Sequence, residues 1–155
     1  MMESIPLKPV DGVTITSLID NSVDLLMGDM GPATRAPLAG PRVPRLKTAF
    51  LVGGEGYDGL QAEHGFSALL NIKKGDKSHT VLFDAGLTPD GLIENMRRMF
   101  LTPKDIEAIV LSHSHWDHTT GMDGIVKALG KVNLPVLIHP EFWTKRRLEI
   151  GRAHV

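Results

Sequence analysis

The stretch Ile106-Glu107-Ala108-Ile109-Val110-Leu111-Ser112-His113-Ser114-His115-Trp116-Asp117-His118-Thr119-Thr120-Gly121 decides how this chain is read. Its first part, Ile106 to Leu111, is almost wholly apolar, the pattern of a buried strand. The polar part that follows holds three of the chain's seven histidines, together with Asp117. They fall where the chain leaves the core. In extended backbone, side chains two positions apart point the same way, so His113 and His115 can aim at one point. Asp117 and His118, at the turn into the next segment, can approach from a second direction. Neutral imidazole and carboxylate suit zinc, iron and manganese. A lone histidine here would be read as a loop residue hydrogen-bonded to backbone. Four ligand-type residues at this spacing after an apolar strand read as a metal site. Trp116 is expected to pack, or to wall a substrate pocket.

Working outward, Val13 to Ile19 reads as a strand rich in β-branched residues, closed by the turn chemistry of Asp20-Asn21. Phe66 to Ile72 and His79 to Phe83 read as two strands of an antiparallel hairpin, with Lys73-Lys74-Gly75-Asp76 as a longer turn. Leu92, Ile93, Met96, Met99 and Phe100 fall at helical spacing behind Pro89, and Thr102-Pro103 bounds that helix. Thr102-Pro103-Lys104-Asp105 itself has the form of a second helix start. Ile125, Val126 and Leu129 suit a short helix ending at Gly130. Val136 to Ile138 reads as a further buried strand, and Glu141 to Glu149 as the start of another helix. The alternation in the second half favours helices layered on a sheet. Residues 28–59 carry seven Gly and four Pro and predict a long irregular loop, either a functional lid or a flexible insertion. The doublets Arg97-Arg98 and Arg146-Arg147 read as solvated helix faces.

The chain has 155 residues, about one domain's worth. Lys plus Arg is 17 against 18 Asp plus Glu, a net charge of −1, without the basic footprint of a dedicated nucleic-acid binder. The hydrophobic fraction of 42% argues against intrinsic disorder. No apolar run approaches the length of a membrane span, and the N-terminus lacks signal-peptide character. These features predict a cytoplasmic chain with no nucleic-acid or membrane partner; the oligomeric state is left open. There is no Cys, which excludes disulfides, thiolate ligands and Cys nucleophiles. No Ser sits in a nucleophile-elbow pattern either, so covalent catalysis has little support.

The His113-x-His115-x-Asp117-His118 motif, with the strand before it and Thr119-Thr120-Gly121-Met122 after it, resembles the signature of the metallo-β-lactamase superfamily. The resemblance implies an α+β fold, the four-layer αββα sandwich, of which this chain supplies the first half, truncated at the C-terminus. It implies two divalent metal ions, zinc foremost, with manganese or iron as alternatives. His113 and His115 would bind the first ion, Asp117 and His118 the second, and Asp117 is also the candidate catalytic residue. The remaining ligands would come from later in the chain, and a metal-bound hydroxide would attack the substrate. Phe83-Asp84-Ala85-Gly86 resembles the superfamily's earlier Asp-Thr-Gly motif, in which the Asp supports the ligands from behind. Asp84 has the alternative of a plain turn carboxylate.

A narrower resemblance, to the branch of dihydropterin-ribofuranosylaminobenzene-phosphate synthase-like proteins, rests on Ala62-Glu63-His64-Gly65-Phe66-Ser67 and Leu18-Ile19-Asp20-Asn21. It makes Asn21, Glu63 and His64 candidates to line the site, against a surface turn at Gly65. Ile138-His139-Pro140 adds His139, as site residue or as hydrogen-bonded loop histidine. The function implied is metal-dependent hydrolysis, with a pterin- or phosphate-type small molecule as substrate. A non-catalytic metal-binding module, or a thioesterase, lactonase or phosphodiesterase of the same superfamily, stands as the alternative. Residues 1–149 are then the N-terminal portion of the domain. Ile150-Gly151-Arg152-Ala153-His154-Val155 corresponds to the codons of a common sequencing adapter. Residues 150–155 are therefore expected to be a non-native tail, with His154 no ligand. Such a fragment is expected to be inactive and poorly soluble, because a half-domain exposes a sheet edge and a core face.

Overall fold

The computed structural model describes residues 6–130 and 133–145. Strand β1 spans Gly12–Ile19, and two short strands, β2 (Arg45–Lys47) and β3 (Glu55–Tyr57), lie within the Gly/Pro-rich region. Then come β4 (Ser67–Lys74), β5 (Lys77–Phe83), helix α1 (Pro89–Arg98) and β6 (Ala108–Val110). Helices α2 (Trp116–Thr119) and α3 (Met122–Leu129) precede β7 (Val136–Leu137). Five strands form one mixed sheet in the order β1-β4-β5-β6-β7. The β1–β4 and β4–β5 pairs are antiparallel, whereas β5–β6 and β6–β7 are parallel. Parallel neighbours need a crossover connection, and α1 and the α2–α3 segment supply the two crossovers. This is the expected α+β arrangement, with two of the four layers of an αββα sandwich present.

The register explains the layering. Thr16, Leu69, Leu82 and Ile109 stand side by side across four strands. Leu92 and Met96 of α1 and Ile125 of α3 join Leu69, Leu82 and Ile109 in one core, and of these Leu82, Leu92, Met96 and Ile125 are completely buried. Each such side chain contributes about 1.5–3 kcal/mol by leaving water. Strand side chains alternate between faces, so the row Ile15, Leu70, Val81, Ala108 points away from the helices. Ile15 is 67% exposed, and this second sheet face is apolar without a covering layer among the described residues.

Several local readings are corrected. The β4–β5 connection is the two-residue turn Gly75-Asp76 rather than a longer loop, and Lys73 and Lys74 continue β4. Gly75 has φ +57, the left-handed backbone that such tight hairpins require. Thr102-Pro103 opens a single 3-10 turn, Pro103–Asp105, instead of a second helix. Strand β7 is exposed rather than buried, because it lies at the sheet edge. The expected helix at 141–149 is, in its described part, a 3-10 turn over Pro140–Trp143. Arg146-Arg147 and residues 150–155 lie outside the described residues.

The region 28–59 is irregular, as expected, apart from the β2–β3 pair. Its end is fastened by Asp58, which bonds Arg97 at 2.6 Å and Arg98 at 2.9 Å. Arg97 foremost, then Arg98, holds the Asp58 carboxyl below its ordinary range against the opposing effect of burial. The Arg97-Arg98 doublet therefore clasps Asp58, Arg97 from the solvated face with its side chain 54% exposed and Arg98 from within at 10%. Asn95 of α1, buried, receives Gln61 N at 2.9 Å and donates to Leu18 O and Gln61 O, both at 2.8 Å. This fixes the approach of the Glu63-His64 segment.

Helices α1 and α3 meet at their starts. A Cβ built on Gly124 would lie 1.9 Å from the Pro89 carbonyl oxygen. Helix propensity alone favours Ala over Gly by about 1 kcal/mol. The backbone overlap reverses that sign, so Gly124→Ala should lower the urea unfolding midpoint, and a raised midpoint would contradict the packing described.

Candidate metal centre

Asp84 follows the last residue of β5 in a left-handed conformation, φ +54, which Asp tolerates better than most residues. Its N–H donates to Val110 O at 2.9 Å, and the side chain turns inward to 1% exposure. Three donors converge on the carboxylate. Oδ1 accepts from Ser112 N at 2.7 Å. Oδ2 accepts from Ser112 Oγ at 2.7 Å and from His118 Nδ1 at 2.8 Å. Asp84 thus bonds His118 directly and reaches His113 through Ser112. The next residue ties the same parts together, with Ala85 N donating to His118 O at 2.8 Å. A Cβ on Gly121 would stand 1.8 Å from Ala85 O, so the Asp84-Ala85-Gly86 turn and the segment after His118 interlock as backbones.

The histidines gather beside this anchor. The ring of His113 lies 4.5 Å from that of His115 and 4.2 Å from that of His118, centroid to centroid. Ser112 Oγ, which gives its proton to Asp84, accepts from His113 Nδ1 at 2.8 Å. Both His113 and His118 therefore spend Nδ1–H on the Asp84 network, and each keeps Nε2 as a lone-pair donor. His115 caps α2 through its backbone without a side-chain cap bond, which leaves its imidazole available. Burial, then the neighbouring His118 and His115, pushes the His113 imidazole below its ordinary value, with Asp84 and Asp117 opposing. A neutral imidazole is the form that binds metal.

Asp117 Oδ2 lies 3.5 Å from His118 Nε2. With Nδ1 holding the ring proton, a lone pair and a carboxylate oxygen face one another, an arrangement that a cation between them stabilises. The donor set, imidazole nitrogens plus one carboxylate, fits a divalent ion of the zinc, manganese or iron type. Among the described residues no three His, Asp or Glu side chains close around one point as a complete cage.

The other sequence candidates divide. His64 joins the cluster, with Nε2 3.3 Å from Asp117 Oδ2. Asn21 serves the loop behind it, its Oδ1 accepting from Gly65 N at 3.1 Å. Glu63 does not line the cluster. Its carboxylate accepts from Leu87 N at 2.9 Å, Thr88 N at 3.0 Å and Thr88 Oγ1 at 2.5 Å, anchoring the start of α1. His139 is the hydrogen-bonded loop histidine: Nδ1 accepts from Glu141 N at 3.2 Å, within its own turn. Trp116 is 53% exposed, so it is no core residue. Ser112 was missed by the sequence reading, although a hydroxyl next to the motif, within reach of both Asp84 and His113, was the available signal.

Known proteins resemble part of the chain. The matched stretch is 34% identical over 82 residues to the 7,8-dihydropterin-6-methyl-4-(beta-D-ribofuranosyl)-aminobenzene-5'-phosphate synthase of Methanocaldococcus jannaschii, covering 53% of this chain and 28% of that protein. It is 38% identical over 84 residues to ribonuclease Z of Treponema pallidum, covering 54% of this chain and 25% of that protein. The chain spans no more than about a third of the length of the curated relatives it matches. Among solved structures, the Rm3 metallo-beta-lactamase aligns with TM-score 0.40 at 23% identity, over 54% of this chain and 29% of that one. The Metallo-beta-lactamase superfamily model matches residues 60–155, a stretch that contains Asp84, Ser112 and the whole histidine cluster, and the chain belongs to that superfamily.

Proposed function

We propose that this chain carries one half of the metal centre of a metal-dependent hydrolase. The observation that carries the reading is the Asp84 network, which commits Nδ1–H of His113 and His118 and leaves both Nε2 atoms as metal donors. His113 and His115 would hold a first divalent ion, and Asp117 and His118 a second. Asp117, whose Oδ2 lies between His118 and His64, would be the catalytic carboxylate. Zinc, when bound, lowers the pKa of a coordinated water and polarises a carbonyl or phosphoryl oxygen; manganese or iron would use the same donors.

The protein's own residues supply orientation. Asp84 fixes the tautomers and ring planes of two histidines, and the partial burial of His113 lowers its affinity for a proton. A small molecule of the pterin or phosphate type is the substrate class supported by the similarity to the dihydropterin-linked synthase. A nucleic-acid substrate, suggested by the ribonuclease Z match, has less support from a net charge of −1. No helix among the described residues is long and apolar enough to cross a membrane, and the proposed setting is cytoplasmic. The second reading, a non-catalytic metal-binding module, draws on the open donor set among the described residues. Turnover of phosphate- or carboxyl-ester substrates by a metal-loaded longer chain that contains this sequence together with further metal ligands would exclude it.

Replacing both His113 and His115 with Ala should remove metal from the first position. Elemental analysis of the purified double variant checks this, and unchanged metal content would refute the ligand assignment.

The depressed His113 value also sets a pH dependence. The folded chain resists protonating His113, whereas the unfolded chain takes up the proton near the ordinary value of 6.5. The unfolded state then binds more protons over the window from 6.5 down to the folded value, so stability falls as pH drops through that window. In metal-free protein the urea midpoint should be lower at about pH 5.5 than at about pH 7.5. His113→Asn should flatten that difference, and an equal slope in the variant would assign the effect elsewhere.

A further inference from the structure

His64 reaches the cluster from a distant part of the sequence, and its backbone is held on both sides. On one side, Glu63 N donates to Asp20 O at 3.1 Å, and the Glu63 carboxylate is bound to the Leu87 and Thr88 amides. On the other, Gly65 N donates to Asn21 Oδ1 at 3.1 Å. Gly65 has φ +124, and a Cβ there would stand 2.1 Å from the Asp117 carbonyl oxygen. The loop backbone thus lies directly against the residue that its neighbour's imidazole touches. A free surface histidine loses rotamer freedom when it makes a contact; pinned neighbours reduce what remains to be ordered.

The contact itself is selective. Asp117 Oδ2 lies between two imidazole nitrogens, His64 Nε2 at 3.3 Å and His118 Nε2 at 3.5 Å. His118 has given its ring proton to Asp84, so its Nε2 faces Oδ2 as a lone pair. His64 shows no such commitment of its other nitrogen, and its side chain is 69% exposed against 13% for Asp117. The group able to offer a proton to Oδ2 is therefore His64. A carboxylate oxygen has two lone pairs, so one can face the His64 nitrogen 3.3 Å away while the other faces the cation position shared with His118.

We propose that His64 is a positioning residue for Asp117: its Nε2–H holds Oδ2 and keeps the carboxylate turned toward the ion that His118 also faces. The assignment rests on the metal-centre reading above and adds a role to it. Hydrogen bonds behind ligating carboxylates orient the ligand, and their loss weakens metal binding by about 10–100-fold.

The test uses the full 155-residue chain carried on a solubility partner and titrated with cobalt(II), whose visible absorption reports ligand geometry. His64→Leu should weaken cobalt binding by about 10–100-fold and alter the absorption band, with an unchanged far-ultraviolet spectrum. His64→Gln, which keeps an N–H donor, should recover most of the affinity. His64→Ala provides a second donorless variant should the Leu substitution disturb folding. Equal cobalt affinity in the parent and in the folded donorless variants would overturn the role of His64 while leaving the metal centre intact. A Gln variant as weak as the donorless ones would overturn the hydrogen-bond assignment. A parent chain that binds no cobalt, and is indistinguishable from Asp117→Ala, would overturn the metal-centre reading and this inference with it.

Discussion

A single buried carboxylate organises the functional end of this protein. Asp84 accepts from a backbone amide, a hydroxyl and an imidazole, all within 2.8 Å. Hydrogen bonds to a charged group contribute about 1.5–3 kcal/mol each, more than neutral ones. The larger effect is negative: removing the donors would leave a carboxylate at 1% exposure without partners, which burial strongly penalises. The network therefore compels Ser112 and His118 to stay together. The backbone contributes equally, since Asp84 N and Ala85 N donate to Val110 O and His118 O. One turn thus joins the end of β5 to the end of β6 and to α2.

The location follows from sheet topology. β5 and β6 run parallel and adjacent, so their carboxyl ends emerge side by side. Asp84 follows the first and the Ser112-His113 segment the second. The crevice beyond the carboxyl ends of parallel strands is where open α/β sheets place ligands. The start of α1 lies close by, and Glu63 occupies it with a carboxylate that satisfies free amides and matches the positive end of the helix dipole. That use of Glu63 explains why it is unavailable to the cluster although His64, the next residue, reaches it.

What could be read from the sequence divides along the same physical line. The histidine cluster was legible because its members are neighbours in sequence and a strand period aims two of them alike. Asp84 was legible as a motif, though its burial was not. The Glu63–Thr88 and His64–Asp117 contacts join residues far apart in the chain, and no periodicity encodes such pairings. Strand β7 shows a related failure. Val136 and Leu137 have the composition of a core strand, but exposure depends on being last in the sheet order, which composition does not carry. Similarly, Arg97 and Arg98 looked like a solvated face until Asp58, at the end of the irregular region, closed on them.

The Asp84 network is complete with protein groups alone. Its three donors need no ion, so the tautomers of His113 and His118 are set when the chain folds. The entropy of ordering those two rings is met by folding, and metal binding does not have to supply it. The Asp117 side differs. Its oxygen faces one lone pair at 3.5 Å and one exposed imidazole at 3.3 Å, a balance that a cation would shift. Restraint is therefore unequal across the cluster: strong where buried Asp84 holds the rings, weaker at Asp117, which faces only an exposed loop histidine and the His118 lone pair. On the proposed ligand assignment Asp84 braces one histidine of each position, His118 directly and His113 through Ser112, and leaves Asp117 and His115 to other restraints.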